Sequence, residues 1–256
     1  VSEIMLQQTT VQTVKPHFYK FINKWPNIYS LKKVTENEIL TQWSGLGYYR
    51  RAMNLKACAD IICEKYDGNF PKNERLLLEL PGIGKYTAAA IISIAHGIPS
   101  IVIDVNVERI IARLYEIKGP LDKSKSLIHK KMEIISPNKR PGDFAQAMMD
   151  LGAKICKPVN PKCSDCPIQI FCNSKKNDTT SILPEKRKRK RKVLRKGYVY
   201  LGITKSDEIA LIIRPKSGLL AGLISPPTSE WKIDKYPDNI PPIPGTWTKL
   251  DKIVKH

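Results

Sequence analysis

The sequence predicts a mainly α-helical protein that ends in a smaller α+β module. Apolar residues recur at three- and four-residue spacing through residues 1–175, and no convincing strand precedes residue 196. An unbroken run of Lys and Arg over residues 186–192 then marks a change of pattern. Beyond it, residues 198–204 and 209–213 are rich in β-formers, and repeated prolines divide the remainder.

The helices are predicted from their apolar periodicity and from their start signals. Residues 2–25 form the first helical pattern, in which Pro16 predicts a break because proline lacks a backbone N–H. The segment Thr35-Glu36-Asn37-Glu38 is a capping box that opens a later helix. Further helices are predicted over residues 50–66 and 144–155.

A tight hairpin joins two of the predicted helices in the middle of the chain. Helix formers over residues 73–80 lead into Leu80-Pro81-Gly82-Ile83-Gly84-Lys85-Tyr86-Thr87, after which a second helical run covers residues 86–94. Two glycines allow the main chain to approach a ligand, and the amides at the start of the second helix favour an anion. An ordinary helical hairpin in a core is the alternative for this stretch alone.

The charge of the chain favours nucleic acid as the partner. The 256 residues carry a formal charge of +19, with a sequence pI near 9.7. Such a charge indicates nucleic acid first and an anionic membrane surface second. No run of about 18 apolar residues predicts a transmembrane helix, and no signal peptide is visible. The sequence begins at Val1 in the middle of a pattern, so we expect a missing N-terminal segment.

Four of the six cysteines lie close together and predict a metal centre. They follow the pattern C-x6-C-x2-C-x5-C, formed by Cys156, Cys163, Cys166 and Cys172. Only one C-x2-C pair is present, whereas four-thiolate zinc sites use two such pairs. An iron–sulfur cubane accepts uneven loops because its corners lie further apart, so the spacing favours iron–sulfur and leaves zinc open. Cys58 and Cys63 are expected to be small core residues.

The hairpin resembles the helix-hairpin-helix of base-excision DNA glycosylases, and the cysteine pattern after it resembles the [4Fe–4S] loop of endonuclease III and the MutY enzymes. The resemblance implies a helical barrel with a [4Fe–4S] domain, in which the cluster has a structural and DNA-docking role. It implies four segments: residues 1–98 with the hairpin, 99–175 with the catalytic Asp helix and the cluster, 176–196 as a basic linker, and 197–256 as a Nudix-like domain.

Three places in the sequence indicate the branch of this family. The lysine with which endonuclease III forms a Schiff base is replaced here by Tyr86, which cannot form an imine. The segments Ser2-Glu3-Ile4-Met5-Leu6-Gln7-Gln8-Thr9 and Trp43-Ser44-Gly45-Leu46-Gly47-Tyr48-Tyr49-Arg50 are similar to signatures of MutY-type adenine DNA glycosylases. The resemblance therefore implies a monofunctional enzyme that hydrolyses the N-glycosidic bond of adenine opposite 8-oxoguanine or guanine.

The resemblance also assigns roles to individual residues. Glu3 is the acid that protonates adenine N7, and Asp104 stabilises the anomeric carbon. Tyr86 and Asn106 orient these groups and the sugar. DNA is bound by two wedge residues and by the hairpin, that is, by Gln8, Tyr48, Gly82, Gly84, Lys85 and Thr87. Taken singly, Asp104 is more simply a helix N-cap, Glu3 a charge at a helix start, and Tyr48 a core aromatic.

The C-terminal part resembles the Nudix-like domain with which these enzymes recognise 8-oxoguanine. Gly218-Leu219-Leu220-Ala221-Gly222-Leu223 matches a loop of that domain, whereas Ile224-Ser225-Pro226-Pro227 departs from it. The glutamate-rich signature of a Nudix hydrolase is absent, so no nucleotide hydrolysis is expected. The recognition loop of the family is expected just past His256.

Two other functions compete with this interpretation. One is an endonuclease III-like glycosylase/lyase for oxidised pyrimidines, against which Tyr86 and the extra C-terminal module argue. The other is a catalytically silent, structure-specific DNA-binding protein, against which the presence of both Glu3 and Asp104 argues. We expect a monomer that binds mispaired duplex DNA and no membrane, in the nucleoid of a bacterial cytoplasm.

Overall fold

The computed structural model describes residues 1–185, 193–215, 218 and 222–250. The chain divides into two compact units, Val1–Lys188 and Arg189–His256. The predicted basic run over residues 186–192 and three of the six residues of the loop motif at 218–223 lie outside the described residues. In the part of the chain that is described, no helix has the length and apolar character needed to cross a bilayer.

The first unit is helical throughout, as predicted. Short 3₁₀ turns at Cys163–Asp165 and Gln169–Phe171 connect the cysteines, and a π-helical turn at Ile91–Ala95 continues α7. The α-helices are α1 Ser2–Met5, α2 Val11–Lys24, α3 Ile28–Lys32, α4 Glu36–Gln42, α5 Arg50–Lys65, α6 Glu74–Leu78, α7 Lys85–Ala90, α8 Val105–Leu114, α9 Leu121–Ile135, α10 Pro141–Lys154 and α11 Asn173–Lys176.

Local capping explains where several helices begin. The predicted capping box of α4 is confirmed, since Thr35 accepts from the Glu38 amide at 3.3 Å and Glu38 accepts from the Thr35 amide at 2.9 Å. Asn73 caps α6 by accepting from the Arg75 amide at 2.9 Å. Asp104 caps α8, as its position in the sequence predicts.

The predicted break at Pro16 is wrong, because α2 continues through that proline. The chain breaks instead between α1 and α2, where Gln8 adopts a left-handed conformation with φ 55°. Thr10 then caps α2 by accepting from the Thr13 amide at 3.3 Å. Pro16 removes one backbone hydrogen bond from a helix of 14 residues, a loss that the packing of Phe21 and Val14 offsets.

Two main cores flank the segment that carries the hairpin. The first packs α1–α5 around Trp43 and Phe21, whose rings meet edge-on at 6.3 Å. The second packs α8, α9 and α10 through Val107, Ile111 and Met132. The hairpin has its own small cluster around Leu77. Helix α7 packs in this small cluster through Ala88 and in a further one through Ala89 and Ala90, which also includes Val102 and Ala145.

The second unit contains short antiparallel ladders. β1 (Arg195–Lys196) pairs with β4 (Lys232–Ile233), and β2 (Ile212–Ile213) pairs with β3 (Ile224–Ser225). The β-rich segment 198–204 forms only isolated bridges, from Val199 to Thr228 and from Ile203 to Ile209. The β-rich segment 209–213 contributes only the two residues of β2 to a ladder. Ile213 and Ile224 are 75% and 67% exposed, so within the described residues no second layer covers the ladder of β2 and β3. Little packing energy is therefore available to lengthen these strands.

Candidate active site

Tyr86 is the point at which two carboxylates from distant parts of the chain meet. It lies in the first turn of α7, and its hydroxyl is 3.2 Å from the Met149 sulfur. Burial, the charge of Glu3 and a hydrogen bond with its carboxyl group, and the charge of Asp104 together raise the pKa of Tyr86 far above its ordinary value. The phenol therefore keeps its proton, and its hydroxyl contacts are with the Glu3 carboxyl group and the Met149 sulfur.

Asp104 is held in one orientation by three N–H groups. Its Oδ1 accepts from the backbone amides of Asn106 at 2.9 Å and Val107 at 2.8 Å. Its Oδ2 accepts from the Asn106 side-chain amide at 2.8 Å. The carboxylate that caps α8 is thus also the one whose charge contributes to the raised pKa of Tyr86.

Asn106 is in turn fixed by a buried arginine that the sequence analysis missed. The Arg109 Nη2 donates to the Asn106 side-chain oxygen at 2.9 Å, which sets the direction of that amide. The same guanidinium donates to the carbonyls of Cys156 at 2.7 Å and Gly152 at 2.7 Å. Arg109 lies away from the apolar stripe of α8, so the sequence pattern gives no signal that it is buried.

Helix α10 approaches this group closely because it has a glycine at the contact. A Cβ added to Gly152 would lie 2.5 Å from the Asn106 Cβ, far inside van der Waals contact. The close approach places the Gly152 carbonyl within reach of Arg109. Any larger residue at this position would have to move Asn106 or the helix.

The hairpin needs glycine at one of its two predicted positions. Gly82 has φ 78°, and a Cβ there would lie 2.9 Å from the Asn54 Cβ. Gly84 has an ordinary extended conformation and open space around it. The hairpin is tied to the first loop of the chain, since the Gln7 side chain donates to the Gly82 carbonyl at 3.3 Å. Lys85 is exposed, whereas the Thr87 side chain is buried.

The two predicted wedge residues lie on the surface of the first unit. Tyr48 is 61% exposed, which excludes the alternative of a core aromatic. Gln8 is also exposed, and both residues have positive φ, 55° for Gln8 and 47° for Tyr48. Their side chains are therefore available to a ligand.

The four clustered cysteines line one cavity, together with the buried Arg113. The empty volume of this cavity, counted with the solvent at its mouth, is about 310 Å³. The Arg113 guanidinium lies 3.3 Å from the Cys156 sulfur and donates to the carbonyl of Lys157 at 2.7 Å. No three His, Cys, Asp or Glu side chains of the described residues are arranged to hold a single metal ion. The donor set fits a group larger than one ion, because all four thiols face a shared space. The cavity is lined by Cys156, Cys163, Cys166, Cys172, Arg113, Ile155, Pro161, Lys162, Gln169, Lys175 and Thr180.

Residues 1–137 match the HhH-GPD superfamily of base excision DNA repair proteins, which is more than half of the chain. The chain belongs to this superfamily. Adenine DNA glycosylase from Buchnera aphidicola subsp. Baizongia pistaciae is 39% identical over 219 residues, which cover 86% of this chain and 62% of that protein. Human adenine DNA glycosylase is 32% identical over 282 residues, covering 91% of this chain and 51% of that protein. The chain thus spans about half to two thirds of the length of these relatives.

Solved structures of superfamily enzymes share the fold of the first unit. A thermostable thymine-DNA glycosylase aligns with a TM-score of 0.61 at 31% identity, over 68% of this chain and 82% of the other. An endonuclease III–DNA complex aligns with a TM-score of 0.59 at 27% identity, over 68% of this chain and 81% of the other. These likenesses confirm the predicted, mainly helical glycosylase fold.

Proposed function

We propose that this chain removes adenine mispaired with 8-oxoguanine or guanine from duplex DNA, by hydrolysing the N-glycosidic bond and leaving the strand uncut. The observation that carries the proposal is that Asp104 is fixed by three N–H donors and that its charge and the Glu3 carboxyl group both raise the pKa of Tyr86. Two carboxylates serve glycoside hydrolysis, and the phenol between them cannot form an imine with the sugar. The names of the curated relatives support adenine as the substrate base.

In this proposal the two carboxylates act on opposite ends of the bond that breaks. Glu3 donates a proton to N7 of adenine, because a neutral base leaves more easily than an anion. Asp104 is the carboxylate beside the anomeric carbon, where positive charge develops in an oxocarbenium-like transition state. Tyr86 donates toward these acids and keeps them apart.

The supporting groups hold Asp104 where charge develops. The donors from Asn106 and Val107 keep the carboxylate from rotating. Arg109 keeps the Asn106 amide with its nitrogen toward Asp104, because the oxygen is engaged by the guanidinium. Such prearranged dipoles lower the barrier without reorganisation during the reaction.

We propose that the exposed loops and the hairpin bind the duplex. Extruding adenine costs a few kcal/mol and is cheapest at a mispair. Gln8 and Tyr48 fill the stack beside the opposite base, which their exposure supports. Gly82, Gly84 and Lys85 contact a phosphate, and since the Thr87 side chain is buried, any contact at that residue comes from its backbone.

The cysteine cavity is proposed to hold a [4Fe–4S] cluster through Cys156, Cys163, Cys166 and Cys172. When bound, the cluster supplies four iron–thiolate links that close the loop, and the hydrolysis itself needs no redox step. The exposed lysines of the loop, such as Lys157 and Lys162, would then face the DNA backbone.

We propose further that residues 197–256 form a Nudix-like module that contacts 8-oxoguanine, following the predicted segments 1–98, 99–175 and 176–196. The support is the sequence resemblance around Gly218 and Gly222. We also propose that the protein is a monomer and acts in the nucleoid of a bacterial cytoplasm.

An endonuclease III-like glycosylase/lyase is the second candidate function. It is favoured by the structural likeness to a trapped endonuclease III–DNA covalent intermediate, with a TM-score of 0.59 and 27% identity. Lys85 is an exposed amine next to Tyr86 and would be the nucleophile in that case.

A single-turnover reaction separates these candidates. The protein is incubated with a duplex containing adenine opposite 8-oxoguanine, and each sample is divided and treated with or without hot alkali. Strand breakage at the adenine only after alkali supports the monofunctional glycosylase. Breakage without alkali supports the lyase, and binding without breakage in either sample supports a catalytically silent DNA-binding protein.

A further inference from the structure

Arg51 is a buried arginine that joins the two loops from which Gln8 and Tyr48 project. It lies in the first turn of α5 and is 7% exposed. Within the described part of the chain no carboxylate forms an ion pair with it, and burial lowers the pKa of its guanidinium. Burying a charge without a counter-charge costs free energy. The groups that accept hydrogen bonds from the Arg51 guanidinium must therefore stabilise it, and they indicate its role.

On the first loop Arg51 binds the residues on both sides of Gln8. Its Nη1 donates to the Gln7 carbonyl at 2.6 Å, and its Nη2 donates to the Thr9 hydroxyl at 3.0 Å. The carbonyls of Ile4 and Met5 accept further bonds at 3.1 and 2.6 Å. Gln8 is thus held from both neighbours, while its own side chain remains exposed.

On the second loop Arg51 binds the residues that lead into Tyr48. Its Nη2 donates to the carbonyls of Leu46 at 3.0 Å and Gly47 at 3.2 Å. Its backbone amide donates to the Tyr48 carbonyl at 2.8 Å. The guanidinium also lies 5.5 Å from the centre of the Tyr48 ring, within range of a cation–π contact.

Both held residues have a backbone conformation that is unfavourable for residues other than glycine. Gln8 has φ 55° and Tyr48 has φ 47°. Each such residue is strained and persists where its surroundings over-determine it, typically at ligand clamps. The Arg51 guanidinium stabilises both backbone conformations, because its planar set of N–H donors reaches acceptors on two loops at once.

We infer that Arg51 is a positioning residue that presets Gln8 and Tyr48 for insertion beside the base opposite the target adenine. The inference rests on the proposed function for the role of those two side chains. Presetting matters because loops ordered before binding lose less conformational entropy when they meet the duplex. Arg51 itself does not touch DNA, since its guanidinium is buried and directed at the protein's own carbonyls.

The test compares wild type with Arg51→Met, which keeps length and removes the fork, and with Arg51→Lys, which keeps charge alone. Kd is measured for a duplex with 2′-fluoro-deoxyadenosine opposite 8-oxoguanine, which is cleaved slowly because fluorine disfavours the oxocarbenium ion, and for a matched duplex. We expect both variants to bind the mispaired duplex about ten- to hundredfold more weakly and the matched duplex within about threefold of wild type. The slope of log Kd against log salt should not change, because no phosphate contact is lost.

A second comparison distinguishes positioning from a general structural role. In a background that carries both Gln8→Ala and Tyr48→Ala, Arg51→Met should weaken mispair binding by less than about threefold, because both side chains that it positions are absent. If Arg51→Met does not fold, judged by its thermal transition, Thr9→Val takes its place. That variant removes one acceptor and should weaken mispair binding about threefold.

Several outcomes would overturn the inference. Folded variants with wild-type mispair binding, equal losses on both duplexes, full losses in the background that lacks both the Gln8 and the Tyr48 side chains, or a salt slope reduced by about one would each do so. A wild-type protein that neither prefers the mispaired duplex nor releases adenine refutes the proposed function, and the inference falls with it. That result is visible in wild type alone, so the two failures are distinguishable.

Discussion

The Arg109 guanidinium donates a hydrogen bond to the side-chain oxygen of Asn106 at 2.9 Å. Through its Nε, the same group donates to the Cys156 carbonyl at 2.7 Å. The first of the four clustered cysteines and the residue that orients Asp104 are therefore joined by one buried side chain. A change in the cysteine loop reaches the site by this route, without any contact between cysteine sulfur and substrate.

Replacing Arg109 with Lys is expected to lower the single-turnover rate of adenine release by about tenfold or more. An ammonium group cannot reproduce the fork that reaches Asn106, Gly152 and Cys156 together. The measurement is rapid quench with enzyme in excess. Arg140→Lys is the matched control, since Arg140 is exposed and should tolerate the same change. A wild-type rate in Arg109→Lys would show that the orientation of Asn106 does not limit catalysis.

Asp104→Asn separates capping from catalysis at one residue. Asparagine is as good an N-cap as aspartate, so the free energy of unfolding should change by less than about 1 kcal/mol. The charge beside the anomeric carbon is lost, so the rate should fall by about a thousandfold or more. Urea unfolding and single-turnover kinetics measure the two effects. Asn73→Asp, at the cap of α6, is the control and should leave both nearly unchanged. Retained activity in Asp104→Asn would remove Asp104 from the mechanism.

Gly152→Ala is expected to destabilise the fold by about 1–3 kcal/mol, because the new methyl group would overlap the Asn106 Cβ. It should also slow catalysis, since Asn106 must move to make room. Ala153→Ser is the control on the same helix, at an exposed position, and should change stability by less than about 0.5 kcal/mol. Equal urea midpoints for the two variants would contradict the close approach of α10.

Glu108→Gln tests an electrostatic feature of α8. Burial and then the charge of Asp104 raise the pKa of Glu108, although Lys125 opposes the shift. Because folding raises the pKa of Glu108, the folded protein is relatively more stable when this carboxyl group is protonated. That contribution to stability is fully present below about pH 4 and is lost as the pH rises. Glu108→Gln should therefore raise Tm at pH 7 and leave it unchanged near pH 4. Glu133→Gln on α9 is the exposed control. A lower Tm at pH 7 would contradict the sign of this shift.

The metal centre is tested by single cysteine substitutions in the purified protein. Cys163→Ser should lose bound iron and the brown absorbance of an iron–sulfur cluster, because one of four ligands is removed. Cys63→Ser should keep both, because Cys63 lies on α5, outside the cysteine cavity. Colourless wild-type protein that contains zinc would contradict the iron–sulfur assignment.

Features that depend on neighbouring residues could be predicted from the sequence. The capping box at Thr35, the N-cap at Asp104 and the turn at Gly82 are formed by groups within a few positions of one another. Local sterics and hydrogen bonding decide them, whatever the rest of the chain does. The helical content and the family follow from periodicity and motifs of the same kind, and Tyr86 in place of the lyase lysine is visible by inspection.

Tertiary structure alone decided which distant groups meet and which charges are buried. Glu3 and Asp104 reach Tyr86 from different helices, and Gln7 meets Gly82 across 75 residues of sequence. The break at Gln8 instead of Pro16 follows from the carbonyls and hydroxyl that surround Arg51. A buried arginine is stable only where folding collects enough acceptors around it, and that depends on how separate helices pack rather than on local pattern.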